Sequence, residues 1–172
     1  LRGRPRRGRN REALPALERM SDADEHDGPD RPPDTGLDLR RARDVALKLL
    51  TRREHSRHEL ATKLAARGVS PEIARAVLAR LVDEGLVSDQ RFAESFVRAR
   101  LGRGFGPRRV ALELQQHEIE STIIDQALAA DEADPVAQAA ALIEKRLGGR
   151  AIMDRSEQAR LSRYLAGRGF EY

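Results

Sequence analysis

The chain has 172 residues, of which 40% are hydrophobic, 35% are charged and only 3% are aromatic. This balance favours a helical, charge-coated protein over a β-sandwich or barrel, which would need more aromatic and β-branched residues. Without cysteine the chain has no disulfide or thiolate metal site, and no apolar stretch is long enough to span a membrane. Since a signal-peptide core is also lacking, we expect a cytoplasmic location.

The basic residues are 29 arginines and three lysines, and the formal net charge is +4. An arginine bias suits phosphate or carboxylate partners, because the guanidinium group pairs bidentately with both. It also arises in GC-rich coding sequences, so composition alone leaves both interpretations open.

Residues 1–36 are predicted to form a disordered, charged tail. Residues 1–11 contain six arginines and no acid, whereas residues 12–36 contain eight acids and two arginines, with frequent Pro and Gly. Such a segment cannot bury enough apolar surface to offset the entropy of ordering. The basic run could touch nucleic acid non-specifically, or the whole segment could be a leader without a function of its own.

After the tail, apolar residues recur at spacings of three and four, which predicts helices and no strands. The first helix is predicted over 39–50. Ser56 caps the second helix, with Glu59 completing a capping box, and Ser70 caps the third, with Pro71 at its first position.

The same pattern returns when the sequence is shifted by 50 residues. Leu60 and Leu64 correspond to Val110 and Leu114, and Ala42 and Ala46 correspond to Phe92 and Phe96. This register predicts an all-α protein made of tandem three-helix repeats that form an elongated, curved array. The predicted units are residues 37–85, 86–131 and 132–172.

The third unit is predicted to be incomplete. Its first helix is expected over 136–147, but the sequence stops at Tyr172, where a third helix is due. Either the unit is short or the natural protein is longer. We therefore expect Leu161, Leu165 and Phe170 to be partly uncovered.

The chain has no recognisable catalytic motif, and we interpret it as a binding module that needs no cofactor. His55 and His58 have a spacing that could hold a metal, but they straddle a helix start and no further ligand is indicated. The glycine-rich run 102–106 follows a helix rather than a strand, so it does not predict a phosphate-binding loop. His117, near a helix end, is predicted to interact with the helix dipole.

The best candidate site is a basic stretch in the middle unit, over residues 91–109. Its inward face is predicted to be Phe92, Phe96 and Val97, so the arginines should lie outside. Two of them lie in the first turn of a helix, where cations are unfavourable, which suggests an anionic partner. The alternative is a solvated face with internal salt bridges. The arginines are Arg91, Arg98, Arg100, Arg103, Arg108 and Arg109.

Three parts of this sequence resemble the bacterial RecX regulatory proteins. The run 56–64 with Gly68 resembles their first repeat, 85–97 resembles their most recognisable stretch, and Gly169 with Phe170 resembles the turn of the third repeat. The middle stretch continues in the family pattern with Arg100, Gly106 and Pro107.

The resemblance implies an all-helical regulator that binds the RecA recombinase filament along its groove and inhibits ATP hydrolysis and strand exchange. It also implies weak binding to single- and double-stranded DNA, and a role in recombinational repair and the SOS response. We expect a monomer that contacts RecA or DNA phosphate through the arginines of 91–109, with Arg57 and Lys63 as the equivalents in the first unit.

Two other functions remain open from the sequence. One is a DNA-binding regulator with a helix-turn-helix-like unit, although the chain has few side chains suited to reading bases. The other is a helical-repeat adaptor for an unrelated protein partner.

Overall fold

The computed structural model describes residues 35–171, and these form eight α-helices with no strand. This confirms the all-α prediction; the predicted disorder of residues 1–34 lies outside the described part of the chain. The helices are α1 (Thr35–Leu50), α2 (Arg57–Ala65), α3 (Pro71–Asp83), α4 (Asp89–Leu101), α5 (Pro107–Gln116), α6 (Ser121–Ala130), α7 (Pro135–Leu147) and α8 (Arg155–Arg168).

Serine side chains cap the starts of three helices. The hydroxyl of Ser56 accepts a hydrogen bond from the backbone N–H of Glu59 at 3.0 Å, and Ser70 and Ser88 accept equivalent bonds. Each bond satisfies a backbone donor that has no partner within the helix. The predicted cap at Ser56 is therefore confirmed, but the Glu59 carboxylate turns to Arg53 instead of completing a capping box.

The first and second units each have their own apolar core. Leu60 and Leu64 are fully buried in the first unit, and their counterparts Val110 and Leu114 are fully buried in the second. The 50-residue register is thus confirmed in the packing. Phe96 departs from it, because its ring is only half-buried at the edge of the second core, although we predicted it inside.

Within the described residues the third unit has two helices, α7 and α8. The prediction that its apolar residues are partly uncovered was wrong: Leu161, Leu165 and Phe170 are only 6%, 8% and 4% exposed. Phe170 is covered because the chain just after α8 packs against the start of α5. There the N–H of Gly106 donates to the carbonyl of Arg168 at 2.7 Å.

Candidate partner-binding surface

Residues 91–109 form a helix, a turn and the start of a second helix, as predicted. Helix α4 ends at Leu101, and Gly104 in the turn has φ +77°, a left-handed conformation that glycine adopts without strain. Pro107 then occupies the first position of α5, so Arg108 and Arg109 lie in its first turn. The eight predicted site residues nevertheless have different surroundings.

Arg57 and Arg91 connect the first unit to the second. Arg57 donates from its backbone N–H to one oxygen of Asp89 at 2.9 Å and from Nε to the other at 2.7 Å. This hydrogen bonding raises the pKa of the guanidinium further above its usual value. Arg91 Nε donates to Glu54 at 3.0 Å. Both arginines are exposed, but their charges are already matched within the chain.

Lys63 belongs to a charged cluster within the first unit. Its Nζ lies 3.6 Å from Glu59, which also binds Arg53 and lies 2.9 Å from Nδ1 of the buried His55. Burial opposes ionisation of Glu59, but its contacts with Arg53 and His55 outweigh burial and lower its pKa to about 2. Lys63 therefore has a carboxylate partner that stays ionised at neutral pH.

Arg100 and Arg109 are held together by one acid. Glu113 forms an ion pair with Arg100 at 2.7 Å and another with Arg109 at 3.1 Å. Arg109 also donates to the backbone carbonyl of Gly167, next to the end of α8, at 3.1 Å. Arg109 therefore helps to join the second unit to the third, whereas Arg100 pairs with Glu113 within the second unit.

The ring of Phe105 lies at the centre of this joint. The guanidinium carbons of Arg100, Arg109 and Arg168 lie 5.2, 4.9 and 5.8 Å from its centroid, within the range of cation–π attraction. Arg168 also donates to the carbonyl of Gly104 at 3.2 Å. Neither Phe105 nor Arg168 was predicted as a site residue, because the residues that meet here are far apart in the chain.

Two glycines allow the backbones to meet at this joint. A Cβ on Gly106 would lie 2.4 Å from the carbonyl carbon and oxygen of Gly169. A Cβ on Gly169 would in turn lie 2.4 Å from Arg109, and Gly169 itself has φ +87°. Any side chain at either position would push the third unit away from the second.

Three of the predicted arginines form no short ion pair and no contact with a neighbouring unit through their side chains, apart from a 3.8 Å contact of Arg108. Arg98 on α4 and Arg103 in the turn are exposed and form no ion pair with a described residue. Arg108 lies 3.8 Å from Glu171, and both side chains are at least 70% exposed. Clefts of about 670 and 600 Å³ are both lined by Arg108. These three guanidinium groups are available to phosphate or carboxylate groups of a partner.

The histidines have structural surroundings. His117 packs edge-on against Phe92 and Phe96 with centroids 5.2 and 5.5 Å apart, and burial lowers its pKa. It therefore acts as an aromatic packing partner, and it lies at the C-cap of α5, near a helix end as predicted. His58 pairs with Glu118 at 3.0 Å. Residues 35–171 contain no group of three or more metal-ligating side chains placed to bind a metal.

None of the described helices is long and apolar enough to cross a membrane.

Comparison with known proteins identifies the three units. Models of the first, second and third three-helix domains of RecX match residues 42–81, 88–128 and 132–172. The regulatory protein RecX of Halorhodospira halophila is 49% identical over 128 residues, which are 74% of this chain and 80% of that relative. The chain belongs to the RecX family.

Other RecX proteins agree with this assignment. The regulatory protein RecX of Xanthomonas axonopodis pv. citri is 47% identical over 73% of this chain and 78% of its own length. The crystal structure of RecX from Lactobacillus salivarius aligns with a TM-score of 0.69 and 26% identity, covering 80% of this chain and 91% of that one. The resemblance to RecX and the tandem three-helix fold are both confirmed.

The matched ranges assign each candidate residue to one of the three-helix domains. Arg57 and Lys63 lie in the first three-helix domain, and the arginines of 91–109 lie in the second. The relatives are named regulatory proteins, so this chain belongs to a family of regulatory proteins.

Proposed function

We propose that this RecX-family chain binds the RecA recombinase filament in the cytoplasm and modulates, mainly by inhibition, its ATPase and strand-exchange activity in recombinational repair. The chain acts as a monomer, without a catalytic group, and binds single- and double-stranded DNA weakly. Its three units supply several modest contacts, which together give strong binding to a repeating polymer.

The proposal rests on one observation: some arginines of the second unit pair closely with carboxylates of the chain, and others do not. Arg98 and Arg103 form no ion pair with a described residue, and Arg108 has only a 3.8 Å contact with the exposed Glu171, whereas Arg91 pairs with Glu54 at 3.0 Å. Free guanidinium groups beside a glycine turn can approach acidic protein surface or DNA phosphate closely.

This difference in pairing changes which residues are expected to contact the filament. Arg98, Arg103 and Arg108 are the proposed contact residues. Arg57, Arg91 and Arg109 hold neighbouring units in register, whereas Arg100 is held by Glu113 within the second unit and Lys63 by Glu59 within the first. Substituting this second group would disturb the array itself, so it cannot report on direct contact.

The test is the RecA ATPase on single-stranded DNA, titrated with the wild-type chain and with a variant in which Arg98, Arg103 and Arg108 are replaced by Glu. The wild type should inhibit. The variant should need about 3- to 150-fold more protein for half-inhibition, since three exposed contacts contribute about 0.2–1 kcal/mol each. Far-UV circular dichroism should be unchanged.

A matched variant controls for net charge. Arg52, Arg155 and Arg160 are exposed, form no ion pair with a described residue and lie outside the α4–α5 turn. Replacing these three with Glu should leave inhibition unchanged. Equal inhibition by both triple variants would reject the proposed surface. Tight duplex binding by the wild type without any effect on the ATPase would reject RecA modulation and favour a DNA-binding regulator.

A further inference from the structure

The second helix of every unit ends in the same kind of turn. The N–H of an apolar residue just after the helix donates to a leucine carbonyl five residues earlier, at 3.1–3.2 Å in all three units. The apolar residues are Val69, Ile119 and Phe170. This helix ending requires a left-handed backbone at the residue before the donor. The repeat therefore places one left-handed position in each unit.

Glycine occupies this position in the first and third units, but glutamate occupies it in the second. Gly68 has φ +78° and Gly169 has φ +87°, whereas Glu118 has φ +55°. Among residues 35–171, Glu118 is the one residue other than glycine with a positive φ. A Cβ in this conformation crowds the following carbonyl oxygen, so glutamate strains the turn where glycine does not. Strain of this kind points to a role for the Glu118 side chain.

The Glu118 carboxylate reaches across to the first unit. Its Oε2 lies 3.0 Å from Nδ1 of His58, which is in the first turn of α2. The two side chains are 72% and 38% exposed, so solvent screens the contact. A pair of this kind shifts an equilibrium by only about 1.5- to 5-fold. The contact is therefore too weak to be explained as a major source of stability.

Glu118 is the one described acid within ion-pair distance of His58. Asp89, which lines the same cleft of about 550 Å³, is already bound by Arg57 at 2.7 Å. Burial lowers the pKa of His117, so its ring stays neutral where an ordinary histidine gains a proton. The charged and titratable groups around His58 are Arg57 on α2, Arg75 and Asp83 on α3, Asp89 on α4, and His117, Glu118 and Glu120 between α5 and α6.

Proton uptake by the imidazole changes the nature of this contact. Histidine is the side chain that ordinarily changes charge between about pH 5 and 8. A neutral ring that carries its proton on Nδ1 donates one hydrogen bond to the carboxylate. A protonated ring makes the same bond and adds the attraction between opposite charges. The contact therefore strengthens as pH falls through this range.

From these observations we infer that Glu118 is a positioning residue: its carboxylate holds the first unit against the second through His58, and this link tightens when His58 gains a proton. The strained backbone of Glu118 is what places a carboxylate at this turn. The other links between these two units are pairs of arginine with a carboxylate, and such charges do not ordinarily change between about pH 5 and 8. The inference does not depend on the proposed RecA partner.

The test measures how firmly the first and second units are held together. Spin labels are attached to the full chain at Ala76→Cys on α3 and Ala129→Cys on α6; both positions are exposed, and the chain has no other cysteine. Double electron–electron resonance then gives the distribution of distances between the labels. For the labelled wild type, this distribution should be narrower at about pH 5.5 than at about pH 8.

Two replacements of His58 separate the link from its charge. His58→Ala removes the link, so the distance distribution should be broad at both pH values. His58→Gln keeps a neutral hydrogen-bond donor. Its distribution should match that of the wild type at the higher pH and should not narrow at the lower pH.

Two replacements of Glu118 separate the link from the strain. Glu118→Gly and Glu118→Ala both remove the carboxylate, so both should broaden the distribution and abolish its pH response. Glycine relieves the left-handed strain and alanine keeps it, so Glu118→Gly should have the higher urea midpoint. The expected difference is up to about 15-fold in the ratio of folded to unfolded chain.

Gly68→Ala is the matched control for strain. A Cβ on Gly68 would meet nothing within 4 Å, so this variant adds the left-handed strain without touching the joint between the units. It should lower the urea midpoint and leave the distance distribution and its pH response unchanged. Circular dichroism should show the same helix content for every variant.

Three results would overturn the inference. The first is a wild-type distribution of equal width at both pH values. The second is a distribution that Glu118→Gly leaves unchanged, because the carboxylate would then not hold the first unit. The third is a pH response that persists in His58→Gln, which would assign it to another group.

Discussion

The joint between the second and third units can be broken by adding one methyl group. In Gly106→Ala, the new Cβ would lie 2.4 Å from the carbonyl carbon and oxygen of Gly169 and 2.6 Å from the backbone nitrogen of Phe170. All three are backbone atoms, so no side-chain rotation can relieve the overlap. Gly106 has φ −82°, so alanine is compatible with its backbone and the effect reports on the contact alone.

A lower bound on the cost comes from the two backbone hydrogen bonds that the separation breaks. Gly106 donates to Arg168 at 2.7 Å and Arg108 donates to Gly169 at 3.2 Å. At about 0.5–1.5 kcal/mol for each bond, the loss is about 1–3 kcal/mol, or about 5- to 150-fold in the docking equilibrium. Because Phe170 then loses its cover, we expect faster amide exchange in α8 than in α4 or α6.

Hydrogen–deuterium exchange with mass spectrometry, resolved by helix, measures this directly. Gly167→Ala is the matched control: it lies two residues from Gly169, and a Cβ there would meet nothing within 4 Å. It should leave α8 protected, or protect it further, since alanine is favoured over glycine in a helix by about 0.5–1 kcal/mol. If Gly106→Ala exchanges like the wild type in α8, the glycine contact does not hold the third unit.

Three further changes test the units themselves. Ser56→Ala removes a buried helix cap and should lower the free energy of unfolding by about 1 kcal/mol in urea titration; no change would show that the cap is dispensable. Phe96→Ala should cost about 2 kcal/mol in the same titration, less than the ~3–5 kcal/mol of a fully buried ring, and a loss in that higher range would contradict its half-buried position. The pKa of Glu59 is lowered to about 2, so its contribution to stability is present above about 4.5 and is lost as pH falls toward 2. Melting temperatures measured across that window should fall less in Glu59→Gln than in the wild type, and parallel curves would contradict the assignment.

Local signals made much of the fold predictable. Ser56 and Ser70 reveal their helix starts because a cap needs only a hydroxyl three residues before the N–H that it accepts from. Leu60 and Val110 reveal the repeat because equivalent core positions must both be apolar. Spacing along the chain is enough to recognise both kinds of signal.

The joints between units could not be predicted in this way. Arg57 meets Asp89 across 32 residues, and Arg109 meets the Gly167 carbonyl across 58. An exposed arginine with a partner in another unit has the same sequence signature as a free one. For this reason the candidate site was predicted as a single basic patch. The structure separates arginines that pair closely within the chain from Arg98 and Arg103, which form no ion pair with a described residue, and from Arg108, whose nearest acid lies at 3.8 Å.

The most direct test of the central claim measures whether the assembled RecA filament is the target. A chain labelled at Ala129→Cys is mixed with RecA filaments on single-stranded DNA, with RecA alone and with DNA alone, and the bound fraction is read by fluorescence anisotropy at two salt concentrations. We expect the tightest binding to the filament, weakened when Arg98, Arg103 and Arg108 are replaced by Glu. Equal affinity for naked DNA and for the filament, at both salt concentrations, would contradict the proposed function.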